Sequence, residues 1–324
     1  MMKNSLDAER KEIRSNNIAL KKRKFDYRRW MPLYLLVLPA VLIVILFSYL
    51  PMTGILLAFK EYDPKGGILG SPWAGLYGFY NFVEIFRTPA LVESIWNTLY
   101  MNAVSLVLGF FAPILFALMI SEIRLKPFKK VVQTISYLPH FLSWAVITTM
   151  INNLLNDYGM INSLLHTFGA EPVYLMKEPG AFLPVYWVTV VWQSVGWGSI
   201  IYLATIAGIN TELYEAAAID GAGRWKQVMH ITLPGILPTA MILLILSVGS
   251  LFGSNFELVY GLQNQVAWTM EVISTSTYKY GIGGSTPSTY SLSVALGLMQ
   301  GIVAIILTFS VNALSNRVAK VSMW

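Results

Sequence analysis

The sequence predicts an all-α integral membrane protein, with six transmembrane helices and both chain ends in the cytoplasm. Three observations carry that reading. Of 324 residues, 55% are hydrophobic and only 12% are charged, whereas soluble domains carry about 25% charged residues. Six apolar runs, at 31–59, 94–121, 132–155, 184–208, 236–261 and 289–314, are each long enough for a helix crossing a hydrocarbon core, which takes about 20 residues. Lysine and arginine then fall on alternate sides. Eighteen lie in the N-terminal tail, the loops 122–131 and 209–235 and the C-terminal tail, against five in the other three loops. The richly basic side is the cytoplasmic one.

In chain order, residues 1–29 form a basic cytoplasmic tail, with Lys21, Lys22, Arg23, Lys24, Arg28 and Arg29 close to the first run. Such a tail fixes orientation and can also touch anionic lipid. The first run is too long for the apolar core of a signal peptide, and no A-x-A site follows it, so it is expected to be a retained helix. A six-helix membrane domain is expected over 30–314, with a polar cytoplasmic loop at 209–238 and a cytoplasmic tail at 315–324. The outer loops 60–93, 156–183 and 262–288 are rich in Gly, Pro, Tyr and Trp, as in Ser71-Pro72-Trp73, Glu178-Pro179-Gly180 and Gly283-Gly284. Loops of this kind fold over the mouth of a bundle or dock a soluble partner.

Several functions are disfavoured by what the chain lacks. It has no cysteine, so no disulfide and no thiolate metal site. His140, His166 and His230 lack metal-ligand spacing. The net charge of +6 gathers beside apolar runs, which suits a membrane surface better than nucleic acid. Inside the six runs the only acidic or basic side chain other than histidine is Glu257. Ion-coupled transporters use several intramembrane ionisable groups, so a secondary transporter is disfavoured and another chain must supply energy. No paired catalytic groups suggest an enzyme. There is no G-x-x-x-x-G-K-[ST] and no Gly-Lys dipeptide, so this chain is expected to bind no nucleotide and no cofactor.

Polar and aromatic residues inside the runs are the candidates for a substrate path. Glu257, in Ser254-Asn255-Phe256-Glu257, is either an interfacial glutamate reaching headgroups or a cavity-lining group. Asn97, Asn102, Asn152, Asn153 and Gln193 either face the path or make interhelical hydrogen bonds. Trp187, Trp192, Trp197 and Tyr202 lie along the fourth run, where aromatics serve packing or the interface belt. They could equally stack on the C–H face of a sugar ring. The set chosen for the path is Glu257, Asn255, Gln193, Trp192, Trp197, Asn152 and Asn153. Gly196 and Gly198, and the pair Gly297 and Gly301 in GLMQG, allow close helix approach, within the chain or to a second membrane subunit.

The loop 209–238 is the most informative stretch. Thr211 is placed as the N-cap of a short helix, with Glu212 and Glu215 in the first turn, where the helix dipole favours negative charge. Gly221 and Gly223 end that helix. Arg224 to Ile231 is read as a second short helix, and Pro234 and Pro238 as the residues that break the chain before the fifth run. A small-residue helix–turn–helix at a membrane surface suits a groove on another protein.

The string E-A-A, three residues, G, nine residues, I-x-L-P resembles the EAA loop of binding-protein-dependent ABC importer permeases. Here it is Glu215, Ala216, Ala217, Gly221, Ile231, Leu233 and Pro234, with Asp220 and Ala222 matching the extended form. Val228 stands where many members have Phe, at what is taken to be a packing contact with the ATPase. The segments YLPMTGILLAFKEYDPKGGILGSPWAGL, YLPHFLSWAVITTMINNLL, GWGSIIYLATIAGI and TYSLSVALGLMQ are similar to the subgroup that imports oligosaccharides released from polysaccharides, and they resemble the permeases of alginate importers. The region 262–288 departs most from the pattern. The resemblance implies a type I ABC importer permease. It implies a second homologous permease subunit, two ATP-binding cassette subunits that carry ATP and Mg, and a periplasmic or lipid-anchored sugar-binding protein, all at a bacterial inner membrane. The loop would dock in a cleft of the ATPase, and helices 3 to 6 would line the path. Permeases of the same type for an amino acid, peptide or ion remain the alternative.

Overall fold

The computed structural model describes residues 27–175, 178–248, 251, 253, 255–263, 271–283 and 287–319. The basic residues Lys21, Lys22, Arg23 and Lys24, together with Lys177, Ser254, Gly284 and Lys320, lie outside them. Among the described residues the chain is helical, with one isolated antiparallel bridge, Lys60 to Trp73, as the only β pairing. Five helices there are long and apolar enough to cross a membrane: Trp30–Phe59, Pro89–Ser121, Gly180–Ala207, Arg224–Val248 and Thr289–Ala313.

The chain divides into residues 1–54 and 55–324. The first unit holds α1 (Tyr27–Val44), which passes into a π-helical turn, Ile45–Tyr49. The second holds α2 (Tyr80–Arg87), α3 (Pro89–Ser121), α4 (Lys126–Tyr137), α5 (Trp144–Leu155), α6 (Met160–Thr167), α7 (Pro179–Ala207), α8 (Thr211–Ile219), α9 (Arg224–Gln227), α10 (Leu233–Val248), α11 (Phe256–Leu262), α12 (Ile273–Gly281) and α13 (Pro287–Ala319).

Two of the expected runs are not single helices. The run 132–155 is divided between α4 and α5 by a 3₁₀ turn at Leu138–Phe141. Pro139 begins the break, and Ser143 restarts the helix by accepting the Val146 amide at 3.4 Å. The run 236–261 is divided too, since α10 stops at Val248 and α11 starts at Phe256.

Pro234 and Pro238 do the reverse of what the sequence suggests. A helical run continues unbroken from Arg224 to Val248 through a π-helical turn, Val228–Thr232. A proline ring clashes with the carbonyl four residues back, which for Pro234 is that of His230. The widened turn relieves the clash, with the Leu233 amide reaching the carbonyl of Val228, five residues back. The same arrangement precedes Pro51, where the Leu50 amide reaches the carbonyl of Ile45. Arg224 to Ile231 is therefore the start of this long helix and not a separate element.

Helix α3 is the spine of the second unit. It runs parallel to α7, since Trp187 Nε1 donates to the Met101 carbonyl at 3.1 Å and Gly198 lies against Pro113. Three apolar clusters hang on it. Met101 joins Ile147, Tyr186, Leu258 and Val259; Leu91 joins Ile85, Ile273 and Leu296; Ile114 and Ala117 join Tyr202, Ile236 and Ala240. Gly196 sets how closely α7 crosses α4, because a Cβ there would sit 2.0 Å from the Ser136 carbonyl oxygen. Gly297 and Gly301 have nothing within 4 Å of that position.

A compact fold follows Phe59. Lys60 is buried and donates from Nζ to the carbonyls of Ile68 (3.1 Å) and Leu69 (2.7 Å), with its ammonium 5.4 Å from the centre of the Trp73 ring. Asn81, also buried, donates to the carbonyls of Ala58 and Lys60, both at 3.0 Å. Bonds to a charged donor contribute about 1.5–3 kcal/mol each. Lys60→Met is therefore expected to loosen residues 61–79, read as faster cleavage there by added protease while the spans stay protected. Wild-type protection would overturn this.

Candidate functional site

Two places can act on something outside the chain: the loop around α8 and a polar cavity between helices. The loop starts at Asn210, which caps α8 by accepting the Glu212 amide at 3.0 Å, so the cap lies one residue before the expected Thr211. Asn210 Nδ2 also donates to the Glu212 carboxylate at 3.1 Å. The end of α8 is a Schellman turn. The Ala222 amide bonds the Ala217 carbonyl at 2.8 Å, the Gly221 amide bonds that of Ala218 at 3.1 Å, and Gly221 has φ +74°.

This helix stands clear of the protein. Glu215, Ala216, Asp220 and Gly221 are exposed, Ala217 and Ala222 half-buried, and Ile219 is 87% exposed. Among the described residues, Glu215 and Asp220 make no side-chain hydrogen bond or ion pair. The loop is held at its root: Tyr214 and Thr232 share a hydroxyl hydrogen bond of 2.9 Å, Gln227 Nε2 donates to the Ala222 carbonyl at 3.0 Å, and Arg224 pairs with Glu122 at 3.2 Å. A Cβ on Gly235 would lie 2.7 Å from Ile209 Cδ1, so the chain before the loop is wedged against the helix after it.

The motif thus splits by role. Residues 215–222 project, whereas Ile231, Leu233 and Pro234 belong to the long helix, where Leu233 packs against the cluster of Ile114, Tyr202 and Ile236. Val228 is only 7% exposed and lines a groove against α3. It points inward, so the difference from Phe there concerns internal packing and not an outer contact.

The cavity has a volume of 370 Å³ and lies between α3, α7 and the end of α10. Asn102, Ser105, Tyr186, Ser194, Ser247 and Asn255 supply its polar surface. Among the described residues its lining holds hydroxyls and amides but no carboxylate or basic side chain. Leu251 and Gly253 reach it from beyond the end of α10, and Asn102 Nδ2 donates to the Leu251 carbonyl at 2.6 Å. Interrupted membrane helices place polar backbone where a cavity can use it.

The expected path residues do not converge. Asn255 lines the cavity. Gln193 is buried but absent from its lining. Trp192 borders a different, apolar cavity with Met150 and Val188, and Asn153 borders a groove with Thr149 and Met160. Asn152 donates to the Gly261 carbonyl at 3.0 Å, and Asn97 to that of Glu271 at 3.0 Å, so both join helices. Trp197 stacks flat on His140, with ring centres 4.6 Å apart and planes 5° apart. Glu257 is exposed at the start of α11. The cavity also uses the second run, outside helices 3 to 6. Sequence reading passed over Ser105, Tyr186, Ser194 and Ser247. Their signal was the spacing Asn102, Ser105, Gly109 on α3 and Tyr186, Val190, Ser194 on α7, each one face of a helix.

No group of three or more His, Asp or Glu side chains that could hold a metal occurs among the described residues.

Residues 105–320 match the family described as binding-protein-dependent transport system inner membrane component. The chain is 41% identical to the polygalacturonan/rhamnogalacturonan transport system permease protein YteP of Bacillus subtilis (strain 168), over 89% of this chain and 87% of that one. It is 37% identical to protein LplB of the same organism, over 88% of each. Among solved structures it is similar to a chain of a bacterial alginate ABC transporter in complex with an alginate pentasaccharide-bound periplasmic protein. The TM-score is 0.81 and the identity 36%, over 92% of this chain and 98% of that one.

Proposed function

We propose, from the premise that the chain belongs to the family of binding-protein-dependent transport system inner membrane components, that it is a permease subunit importing oligosaccharides of uronate-rich polysaccharides. It would cross a bacterial inner membrane six times, α4 and α5 together making the third crossing in chain order, with both chain ends and the α8 loop in the cytoplasm. A second homologous permease would complete the path. Two ATPase subunits would bind ATP and Mg and receive the loop, and a sugar-binding protein would deliver substrate on the outer side. The substrate class follows relatives that handle polygalacturonan and the acidic polysaccharide alginate.

The observation that carries this reading is the run Arg224–Val248. It begins at the root of the exposed loop and ends at the polar cavity, where Ser247 is a lining residue. A force applied at α8 is thereby led to the place where a hydroxyl-rich solute can sit. Amides and hydroxyls suit a solute that presents hydroxyls at every ring.

The test is uptake of a labelled oligosaccharide panel by the complex reconstituted with its ATPase and binding protein. Ser194→Leu, which fills the cavity from α7, is expected to lower uptake of uronate oligosaccharides by about tenfold, roughly 1.4 kcal/mol, while basal ATP hydrolysis persists. Equal uptake by variant and wild type would remove the cavity from the path, and preference for amino acids or peptides would replace the substrate class.

A further inference from the structure

A second concavity, a groove of 830 Å³, runs between α3 and the helix that begins at α9. Its volume falls within the range of about 300–1,000 Å³ that small-molecule sites occupy. Two ladders with four-residue spacing line it: Phe111, Leu115 and Met119 on one side, Met229, Leu233 and Leu237 on the other. Phe111, Leu115, Met119, Met229 and Leu237 are all more than 40% exposed, Met119 reaching 70%.

The groove changes character at one end only. There α3 stops at Glu122 and α9 starts at Arg224, and the two side chains meet at 3.2 Å, each about half exposed. Trp225, 76% exposed, flanks them, and both Glu122 and Arg224 line the groove. Within four residues of Glu122 or Arg224 in the chain, Arg124, Lys126 and Lys226 are exposed, against Asp220 as the further acid, so basic residues outnumber acidic ones at this end. Tryptophan and basic residues at the end of an apolar surface mark the level of lipid headgroups.

We propose that this groove binds an anionic phospholipid, with an acyl chain along the two ladders and the phosphate on Arg224. The trough has the polarity of such a molecule, apolar along its length and cationic at a single end. Arg224 gives one N–H to Glu122, and its other guanidinium N–H groups have no partner among the described residues. A planar guanidinium suits phosphate oxygens in pairs. The excess of positive charge favours an anionic over a zwitterionic headgroup. The site adjoins the root of the loop, where Gln227 holds Ala222, so its occupancy bears on how firmly α8 is held. The inference rests on α3 and α10 crossing a membrane and is independent of the substrate.

The assembled transporter, extracted from vesicles of equal phosphatidylglycerol and phosphatidylethanolamine, tests this by native mass spectrometry. Phosphatidylglycerol is expected to be retained at least fivefold over phosphatidylethanolamine. Arg224→Gln is expected to abolish the preference, and Leu115→Trp, which fills the trough without touching charge, to lower retention of both lipids. Equal retention in the wild type overturns the site, as does an unchanged preference in Arg224→Gln, even where transport falls. Efficient cross-linking of Met119→Cys to a helix of the second permease also overturns it, by showing a protein in the groove.

Discussion

Gly221→Val is expected to cut ATP-driven uptake by at least tenfold while the permease still reaches the membrane and assembles. The cause is conformational. Nothing lies within 4 Å of a Cβ at this position, so a side chain there meets no obstacle. The backbone, however, is held at φ +74° by the two bonds that end α8. A left-handed conformation costs an L-residue roughly 1–2 kcal/mol, and more for a branched side chain. The Schellman turn would open, and the exposed face carrying Glu215 and Ala216 would lose its fixed angle to the long helix. Gly221→Asn, which tolerates this conformation, should keep most of the uptake. Stimulated ATP hydrolysis and uptake, normalised to permease in the membrane, read both variants. Wild-type coupling in the valine variant would show that the turn can be remade without a left-handed residue.

The second large effect is structural. Gly196→Ala is expected to lower the apparent melting temperature of the purified permease by about 5–10 °C, and Gly196→Leu to prevent recovery of folded protein. The new Cβ would meet the Ser136 carbonyl oxygen at 2.0 Å, so α7 and α4 must part. Overpacking of this kind costs about 1–3 kcal/mol, sometimes more, and each kcal/mol shifts melting by about 2–4 °C in chains somewhat smaller than this one. A graded series follows. Gly198→Ala meets Pro113 Cγ at 3.1 Å and should cost less, and Gly297→Ala, with nothing within 4 Å, should melt with the wild type. Equal melting of all three would mean the helices give way freely at Gly196.

Five of the six expected spans and the loop were legible because each is encoded locally. Twenty apolar residues in a row need no partner to declare themselves, and Glu215 to Gly221 holds both the helix and its stop. What was misread depends on geometry between turns. Pro139 does interrupt its helix, whereas Pro234 does not. The difference is a π-helical turn before Pro234, which nothing in the residue types announces. Asn210 and Thr211 are both good caps, and only the backbone decides between them. The path residues were least legible. Asn102 and Asn152 look alike in sequence, yet one reaches the Leu251 carbonyl beside the cavity and the other the Gly261 carbonyl. Which way each faces is set by helix rotation, through contacts 149 and 109 residues away in the chain. Ser105 and Ser194 were overlooked because a small hydroxyl in an apolar run means little until two helices are laid side by side.

The wedge of Ile209 against Gly235 makes the helix from Arg224 to Val248 a lever with a fulcrum. At 1.5 Å per residue the rod is about 37 Å long, and Gly235 divides it into arms of about 17 and 20 Å. Arms so nearly equal give a mechanical advantage close to one. Were the run to turn as one rod about that point, a sideways push of a few ångströms at Arg224 would reappear at Ser247 with the opposite sense and almost the same size.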